Sequence, residues 1–382
     1  MEYINVPSMV RTTIEEDKMK KIKLMLLVPS LKGGGAEKVM VNLSKYLNRE
    51  NFKITIVCFQ MEGEYLANLP LDIEVRNLNV SRVSKGYFPL IKLIKKEQPN
   101  MILSTGFESN MILLLTKRFI DKKIKLIVRE SSIPSINLQQ NKYFYGLFYK
   151  FLYNTSNLII CQSEAMKLDL VKNFKVKDNL IKVIRNPVDF KEIQTLQNEE
   201  DIPDKNNFPN LHNINIMTIG RLSDEKNHRK LIEHFSEKYK NKKNYHLYIL
   251  GQGPLESELK KYVSELSLLQ QIHFIGFQKN PYIWLKYANL FVLPSKYEGL
   301  PNSLLEAISC NIPVIITDHM GGSKEIMDLV GIKNRVVKQL NWEDWWFEKP
   351  SKVVYENLYN NFNLEKIIKE YEQAIINLDK HI

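Results

Sequence analysis

The stretch SKYEGLPNSLLEAISC, residues 295–310, follows a short apolar run and leads into a helical pattern. The run, Leu290–Leu293, is typical of a buried strand, and apolar residues recur at helical spacing from Leu304 onward. The order strand, loop, helix is the repeating unit of an open α/β sheet, in which ligands bind where the strands end. Glu298 in the loop and Glu306 in the helix therefore lie at a predicted ligand-binding edge.

The first turn of this helix is predicted to bind an anion. Backbone N–H groups at the start of a helix have no partner within it, and together with the helix dipole they favour a group such as a diphosphate. The free N–H groups lie around Leu300 to Ser303, and Leu300, Pro301 and Asn302 are predicted to bind the substrate. A second interpretation is that Ser303 and Glu306 form a capping box and that Glu298 is a solvated loop charge. This stretch alone leaves both interpretations open.

The length and composition indicate a globular protein of two domains. At 382 residues the chain exceeds the size of one hydrophobic core, and its contents of 44% hydrophobic and 25% charged residues are ordinary. The three cysteines are scattered, which argues against a disulfide framework or a zinc site. No apolar run reaches the roughly 20 residues that span a bilayer, and no signal peptide is recognised, so we expect a cytoplasmic location. Residues 1–18, before Met19, are interpreted as an N-terminal extension.

The excess positive charge lies in the first half of the chain. Residues 1–190 hold 30 basic against 18 acidic side chains, whereas the remainder is nearly balanced. Two stretches in this half, YFPLIKLIKK at 87–96 and YFYGLFYKFLY at 143–153, mix aromatic residues with lysines, as helices that lie on a membrane do. We therefore expect an anionic membrane surface as a partner of this half, and no nucleic acid. Two alternatives stay open: a lysine-rich composition without function, and helices that pack on their own sheet.

The N-terminal half is predicted to be one α/β domain. Strand Ile22–Val28 leads into three consecutive glycines, Gly33, Gly34 and Gly35, and then into a helix at 36–47. The spacing differs from the dinucleotide-binding fingerprint, but glycines let the backbone approach a phosphate or a sugar closely, or simply permit a tight turn. Further strands are predicted at 53–58, 73–78, 101–104, 124–128 and 158–161. Their alternation with helical patterns indicates a doubly wound parallel sheet.

A second α/β domain follows a linker. Residues 186–213 contain three prolines and many asparagines, which is typical of a domain boundary, and we place the linker at 191–212. Strands are then predicted at 214–219, 245–250, 272–275, 290–293 and 314–317, with helices at 230–239, 255–266, 281–287, 303–309 and 323–329. The chain is therefore two similar halves whose facing strand ends form a cleft. The Trp-rich segment at 342–346 has no predicted function, and an amphipathic helix at 364–378 ends the chain.

The strands of the second half end in residues suited to a phosphorylated ligand. After the first strand come Gly220, Arg221, Lys226 and Asn227. The two cations suit phosphate oxygens, because Arg offers a planar fork and Lys a point charge. The next two strands end in glycines that permit close approach of the backbone: Gly251, Gly253 and Gly276. We therefore predict that the two cations face the same cleft as the two glutamates of residues 295–310.

Taken together, these motifs resemble the retaining glycosyltransferases of family 4, which have the GT-B fold. In chain order the motifs are GGGAEK, NPVD, GRLSDEKN, GQGP, FIGF, SKYEGLPNSLLEAISC, PVIITD and GGSKEI, and they span roughly residues 20–330. The resemblance implies two Rossmann-like doubly wound domains that face a cleft. It assigns the acceptor to an N-terminal domain at 19–190 and the nucleotide sugar to a C-terminal domain at 213–362, with a helix at 363–382 that crosses back to the first domain.

The resemblance also implies a role for individual residues. The two cations would hold the diphosphate, Glu306 the ribose hydroxyls and Glu298 the transferred sugar, while the glycine loop at 33–35 would close on the diphosphate. Preorganised cations suit this reaction because negative charge develops on the departing diphosphate. No Asp-x-Asp motif occurs, which agrees with a site that needs no metal or other cofactor. Many family members carry a histidine after the fifth strand; here Glu130 stands in that segment and either shares its role or indicates a different donor.

The sequence therefore predicts a retaining glycosyltransferase at the inner face of the plasma membrane. We expect it to move a hexose or N-acetylhexosamine from a nucleotide-diphosphate sugar, with UDP as the expected nucleotide, to a lipid-linked glycan acceptor. Surface polysaccharide synthesis, as in capsule or O-antigen assembly, is the expected pathway. The predicted catalytic residues are Glu298, Arg221 and Lys226. Two alternatives stay open: another GT-B enzyme, such as a nucleotide-sugar epimerase, and a non-catalytic protein that binds nucleotide sugars.

Overall fold

A computed structural model describes residues 21–137, 142–199, 208–340 and 344–380. The predicted extension at 1–18 and part of the predicted linker lie outside these ranges. Within them the chain forms two large parallel sheets, and apolar clusters cover both faces of each. The predicted fold class, α/β with two doubly wound domains, is therefore confirmed.

The first sheet has seven parallel strands in the order β3-β2-β1-β4-β5-β6-β7. The strands are β1 (Ile22–Val28), β2 (Phe52–Cys58), β3 (Glu74–Asn77), β4 (Met101–Thr105), β5 (Lys125–Arg129), β6 (Leu158–Cys161) and β7 (Ile181–Val183). The helices are α1 (Gly35–Tyr46), α2 (Tyr87–Glu97), α3 (Phe107–Thr116), α4 (Pro134–Asn137), α5 (Lys142–Leu152) and α6 (Glu164–Phe174). The strand order reverses between β1 and β4, and the glycine loop follows β1 directly, at the kind of crevice where α/β sheets bind ligands.

The second sheet repeats this plan with six parallel strands in the order β10-β9-β8-β11-β13-β15, beside a two-stranded sheet of β12 and β14. The strands are β8 (Ile214–Ile219), β9 (Tyr245–Leu250), β10 (Ile272–Gly276), β11 (Leu290–Leu293), β12 (Tyr297–Glu298), β13 (Val314–Thr317), β14 (Met320–Gly321) and β15 (Val336–Val337). The helices are α7 (Phe190–Gln197), α8 (His228–Tyr239), α9 (Glu256–Glu265), α10 (Tyr282–Leu285), α11 (Asn302–Ser309), α12 (Ser323–Val330), α13 (Lys352–Phe362) and α14 (Leu364–Lys380).

The last helix, α14, packs against the first sheet although it follows the second. Ile367, Ile368, Tyr371 and Ile375 on α14 are buried in the same cluster as Leu26 of β1. This apolar face has the helical period that the sequence predicts for 364–378. The end of the chain thus closes the core of the first domain.

The chain passes between the two domains twice, and the two crossings touch. The backbone N–H of Val188 donates to the carbonyl oxygen of Phe362 at 2.8 Å, and that of Leu364 donates to the carbonyl oxygen of Val188 at 3.1 Å. The two connections therefore run side by side at one hinge.

Part of the predicted linker at 191–212 is a helix rather than an irregular connection. Helix α7 begins next to Asp189, whose side chain accepts a hydrogen bond from the backbone N–H of Glu192 at 2.9 Å. Ile193 is buried in the apolar cluster of the second domain, with Phe190 and Leu196 packed beside it. Most residues around these apolar positions are polar, so the helical spacing of the apolar residues was not recognised in the sequence. The domain limits themselves stay a prediction.

The Trp-rich segment contributes to the core of the second domain. Trp346 is buried, and its carbonyl oxygen accepts a hydrogen bond from Arg335 at 2.6 Å. Trp342 lies outside the described residues.

Across the parts of the chain that the structure describes, no helix is both long enough and apolar enough to cross a bilayer.

Candidate active site

Lys226 and Glu298, which are 72 residues apart, meet at the end of the second sheet. The Lys226 Nζ lies 2.6 Å from Glu298 Oε1, and the Ser295 hydroxyl donates to the same oxygen at 2.6 Å. The side chains are only 20% and 10% exposed. Gly220 leaves room for the lysine, because a Cβ there would lie 3.3 Å from Lys226 Cδ. The pair is therefore held in place before any ligand binds.

The backbone of Glu298 is fixed from behind by the β12–β14 pair. Gly321 has φ +128°, and a Cβ on it would lie 1.7 Å from the Glu298 carbonyl oxygen, so only glycine fits there. The adjacent His319 is buried, and its ring contacts the Ser323 hydroxyl at 2.8 Å. Burial lowers the pKa of His319, which keeps the ring neutral at pH 7. Sequence reasoning did not single out His319.

Glu306 faces the first domain, where it meets a lysine that sequence reasoning missed. Lys38 Nζ on α1 lies 2.5 Å from Glu306 Oε1, and the Tyr282 hydroxyl donates to the same oxygen at 3.2 Å. Burial opposes the charge on Lys38, but the Glu306 carboxylate holds its pKa well above the ordinary value. The N-cap of α11 is Pro301, with no side-chain cap, so the capping-box interpretation of Ser303 is wrong. The signal for Lys38 was its place at the start of the helix that follows the three glycines.

The start of α11 is also bonded to the first domain. Asn302 Nδ2 donates to the carbonyl oxygen of Gly35 at 3.2 Å, and Asn186 Nδ2 donates to Asn302 Oδ1 at 2.7 Å and to the Leu300 carbonyl oxygen at 3.1 Å. Arg129 in turn donates to Asn186 Oδ1 at 2.6 Å. The NPVD motif thus supplies an asparagine that aligns the first turn of α11 with the opposite domain.

The glycine loop of the first domain lies against the second domain. Gly33 has φ +100°, and a Cβ there would lie 3.0 Å from the ring of Phe277. A Cβ on Gly34 would collide with the carboxylate of Glu37, and one on Gly35 would lie 3.1 Å from Asn302 Nδ2. The loop therefore closes one side of the cleft, and its glycines leave room for the side chains of Phe277 and Asn302.

Other predicted glycines serve the packing of neighbouring loops. Gly251 has φ +135°, and a Cβ there would lie 2.0 Å from the Gly220 carbonyl oxygen. A Cβ on Gly253 would lie 2.3 Å from the Leu222 carbonyl oxygen. Gly276 has φ +76° and accepts a hydrogen bond from the Gly251 N–H at 2.8 Å. These glycines bring three strand ends together at the cleft.

Arg221 and Asn227 flank Lys226 differently. Arg221 is exposed immediately after β8. Asn227 has φ +54°, and its Nδ2 donates to the Pro294 carbonyl oxygen at 3.1 Å, so the amide fixes the loop to the end of β11. Arg221 is thus free to turn toward a ligand, whereas Asn227 supports the lysine beside it.

The predicted sugar contact by Glu130 does not fit the structure. Its carboxylate is 1% exposed, accepts from the Tyr153 hydroxyl and lies 3.4 Å from Asn110 Nδ2, all within the first domain. Desolvation raises its pKa to about 7, although both hydrogen bonds oppose that shift. Glu130 therefore belongs to a buried polar network and does not join Lys226 and Glu298.

A second ion pair joins the two domains. Arg185 donates from Nε at 3.0 Å and from Nη2 at 2.7 Å to Glu325 Oε1, and Glu325 Oε2 accepts from the backbone N–H of Glu164 at 2.9 Å. Glu325 belongs to the GGSKEI motif of the second domain. Within the described ranges, no three His, Cys, Asp or Glu side chains cluster as ligands for a metal ion.

The arrangement suits a phosphorylated sugar held between two domains. A partly exposed lysine, Lys226, an exposed arginine, Arg221, and the first turn of α11 supply positive charge and N–H donors for a diphosphate. Two carboxylates on either side of that turn are suited to accept hydrogen bonds from hydroxyl groups.

Comparisons with known proteins identify the family of the chain. The family model described as Glycosyltransferase Family 4 matches residues 33–192, and the one described as Glycosyl transferases group 1 matches residues 198–345. The N-acetylgalactosamine-N,N'-diacetylbacillosaminyl-diphospho-undecaprenol 4-alpha-N-acetylgalactosaminyltransferase of Campylobacter jejuni is 30% identical over 321 residues, which cover 80% of this chain and 83% of that protein. An uncharacterised glycosyltransferase of Methanocaldococcus jannaschii is 33% identical over 258 residues, 64% of this chain and 62% of that relative, so the match spans less than two thirds of its length.

A solved structure has the same fold. Anabaena HepE in complex with UDP-glucose superimposes with a TM-score of 0.71 at 18% identity, and the match covers 93% of this chain and 100% of that one. At this identity the likeness concerns the fold alone. The matches to the family models and to the relatives are matches of amino-acid sequence, and they extend over both domains. This chain is a glycosyltransferase, and it belongs to the group 1 family with the GT-B fold.

Proposed function

We propose that this glycosyltransferase moves a hexose or N-acetylhexosamine from a UDP-sugar to a lipid-linked glycan acceptor in surface polysaccharide synthesis, with retention of configuration. The Campylobacter jejuni relative is named for an undecaprenol-linked acceptor and an α linkage, and Anabaena HepE binds UDP-glucose. These names support the class of donor and of acceptor. The sugar and the linkage are the parts that a donor screen must identify.

The observation that carries the proposal is the contact at the cleft between the partly exposed Lys226 and the buried Glu298. Lys226, together with Arg221, would neutralise the charge that develops on the departing diphosphate, and the N–H groups at the start of α11 would add to this. Glu298 would accept from a hydroxyl of the transferred sugar, and Glu306 would accept from the ribose. Because Glu298 Oε1 already holds a lysine and a serine hydroxyl, the carboxylate is suited to positioning rather than to nucleophilic attack.

Retention then follows from attack on the same face from which the diphosphate leaves. The acceptor oxygen forms a bond to the anomeric carbon as the bond from that carbon to the β-phosphate oxygen breaks. The same phosphate oxygen takes the proton of the acceptor hydroxyl. The products are the extended glycan and UDP, and the role of the protein is to orient the reactants and stabilise the charge.

A donor screen tests this function. Purified protein is incubated with UDP- and GDP-sugars, with and without a membrane lipid extract, and nucleotide release and sugar transfer into lipid are measured. We expect UDP release that requires the extract and is lost in the Glu298→Gln variant. Conversion of the donor without acceptor would instead support an epimerase, tight binding without turnover a non-catalytic protein, and a product of inverted configuration would contradict retention.

We also propose that the first domain lies on an anionic membrane. Phe88, Phe119 and Leu115 are 77%, 54% and 41% exposed, and Tyr87 joins them, with its ring centroid 5.1 Å from that of Phe88 and 6.2 Å from that of Phe119. Exposed basic side chains surround this membrane patch: Lys85, Lys117 and Arg118. Exposed aromatic rings favour the membrane interface. Each lysine or arginine near an anionic lipid surface adds about 1 kcal/mol to the binding free energy.

Vesicle sedimentation tests the membrane patch. We expect the protein to bind vesicles of phosphatidylcholine with phosphatidylglycerol and to bind pure phosphatidylcholine weakly. The double variant Phe88→Ser and Phe119→Ser should lose this binding, whereas Val353→Ser, which removes an equally exposed apolar residue from the second domain, should keep it. Equal binding by all three proteins would contradict the placement of the patch.

A further inference from the structure

Lys38 reaches from the first domain into the nucleotide side of the second. It lies in the first turns of α1, directly after the glycine loop, whereas its partners Tyr282 and Glu306 lie on α10 and α11. The Lys38 Nζ lies 2.6 Å from the Tyr282 hydroxyl and 2.5 Å from Glu306 Oε1. The lysine and glutamate side chains are 26% and 12% exposed.

The contacts on Glu306 leave one half of the carboxylate open. Both Lys38 and Tyr282 bind Oε1, and among the residues that the structure describes no donor reaches Oε2. A carboxylate has lone pairs on both oxygens, so Oε2 can still accept from a hydroxyl group. A carboxylate pinned at one oxygen also loses less side-chain freedom when it binds a ligand at the other.

The charge of Lys38 depends on this contact. An ammonium group that is largely removed from water is unstable without a partner, and the Glu306 carboxylate supplies that partner across the domain interface. Opening of the cleft separates the two groups and frees Glu306 to rotate. The orientation of the carboxylate is therefore linked to closure of the domains.

We propose that Lys38 is a positioning residue that couples domain closure to recognition of the ribose. By holding Oε1 of Glu306, it aims Oε2 at the ribose hydroxyls of the nucleotide. The inference rests on the proposed function, because it takes a nucleotide as the ligand of Glu306. Its consequence is that nucleotide affinity depends on a residue of the domain that binds the acceptor.

Calorimetric titration with UDP tests this role. We expect Lys38→Met to weaken UDP binding about tenfold, as the loss of a charge-assisted orienting contact implies, and Lys38→Arg to recover most of it. In steady-state assays, the donor KM of Lys38→Met should rise more than kcat falls. Lys45→Met is the matched control, because Lys45 lies on the same helix with similar exposure and pairs with Glu192 at 3.5 Å.

A double-mutant cycle separates positioning from a structural role. In a Glu306→Gln background, Lys38→Met should weaken UDP binding by less than twofold, because there is no carboxylate left to orient. If Lys38→Met lowers the melting temperature but leaves the dissociation constant for UDP unchanged, the contact is structural and the inference is overturned. If the wild-type protein binds no UDP at all, the proposed donor is wrong, and this role falls with it.

Discussion

Replacement of Glu130 by Gln should remove a loss of stability that the buried carboxyl group causes as pH rises through neutrality. Glu130 follows β5 at the centre of the first domain, where its buried carboxylate accepts from the Tyr153 hydroxyl. Desolvation raises the pKa of this group from an ordinary value of 4.5 to about 7. The native protein therefore keeps a proton on Glu130 at a pH where the unfolded chain has released it.

The sign and size of the effect follow from proton linkage. Because the native state binds more protons between pH 4.5 and 7, the free energy of unfolding falls as pH rises through this window. The full difference corresponds to about 3 kcal/mol, and the part between pH 6 and pH 8 to about 1 kcal/mol. The stabilising contribution is complete below pH 4.5 and is lost above pH 7. Gln keeps the shape but has no proton to release.

Urea unfolding at pH 6, 7 and 8 measures this contribution. The wild-type protein should lose about 1 kcal/mol more stability between pH 6 and 8 than Glu130→Gln does. Glu108→Gln is the control, because Glu108 is exposed in the first turn of α3 and should leave the pH dependence unchanged. Equal pH dependence in wild type and Glu130→Gln would refute the buried protonated carboxyl group.

Three further predictions concern the cleft. Lys226→Met should lower the rate of UDP release about 100- to 1,000-fold, since it removes a preorganised cation from the leaving group. Gly321→Ala should destabilise the protein by about 2 kcal/mol or more in urea unfolding, because its Cβ would overlap the Glu298 carbonyl oxygen. Arg185→Ala removes the ion pair with Glu325 and should weaken the contact between the two domains by about 1–3 kcal/mol. The radius of gyration measured by small-angle X-ray scattering should therefore increase.

Each of these predictions has a matched control. Lys296→Met removes an exposed lysine that pairs with Asp224, and it should leave UDP release unchanged. Gly146→Ala lies in α5 with open space around it, so it should not destabilise the protein. Arg76→Ala breaks ion pairs within the first domain and should not change the radius of gyration. A variant that behaves like its control would contradict the corresponding prediction.

The buried strands could be predicted with accurate bounds. Leu158–Cys161, Ile214–Ile219 and Tyr245–Leu250 begin and end where the apolar runs do. A parallel strand covered on both faces is largely apolar, so its limits are close to those of the surrounding polar loops. Strands β12 and β14, of two residues each, are too short to show an alternation of apolar and polar residues, so they could not be predicted from the sequence.

Contacts across the cleft are the part of the site that could not be predicted from the sequence. Strand ends are brought together by the topology of one sheet, so the proximity of Lys226 and Glu298 follows once the strand order is inferred. Lys38 and Glu306 are 268 residues apart and lie on helices of different domains, so their contact depends on how the domains close. Glu130 was misplaced because position after a strand does not say whether a side chain points to the cleft or to the core.

The position of α14 has a consequence for synthesis of the protein in the cell. Residues 364–375 complete the hydrophobic core of a domain whose first strand is made of residues 22–28, and translation proceeds from the N-terminus. The leading half of the nascent polypeptide must therefore wait, with part of its apolar surface uncovered, until the ribosome has released the closing helix. The core of the second domain also needs Phe362, two residues before α14, so we expect both domains to complete their folding only at the end of translation.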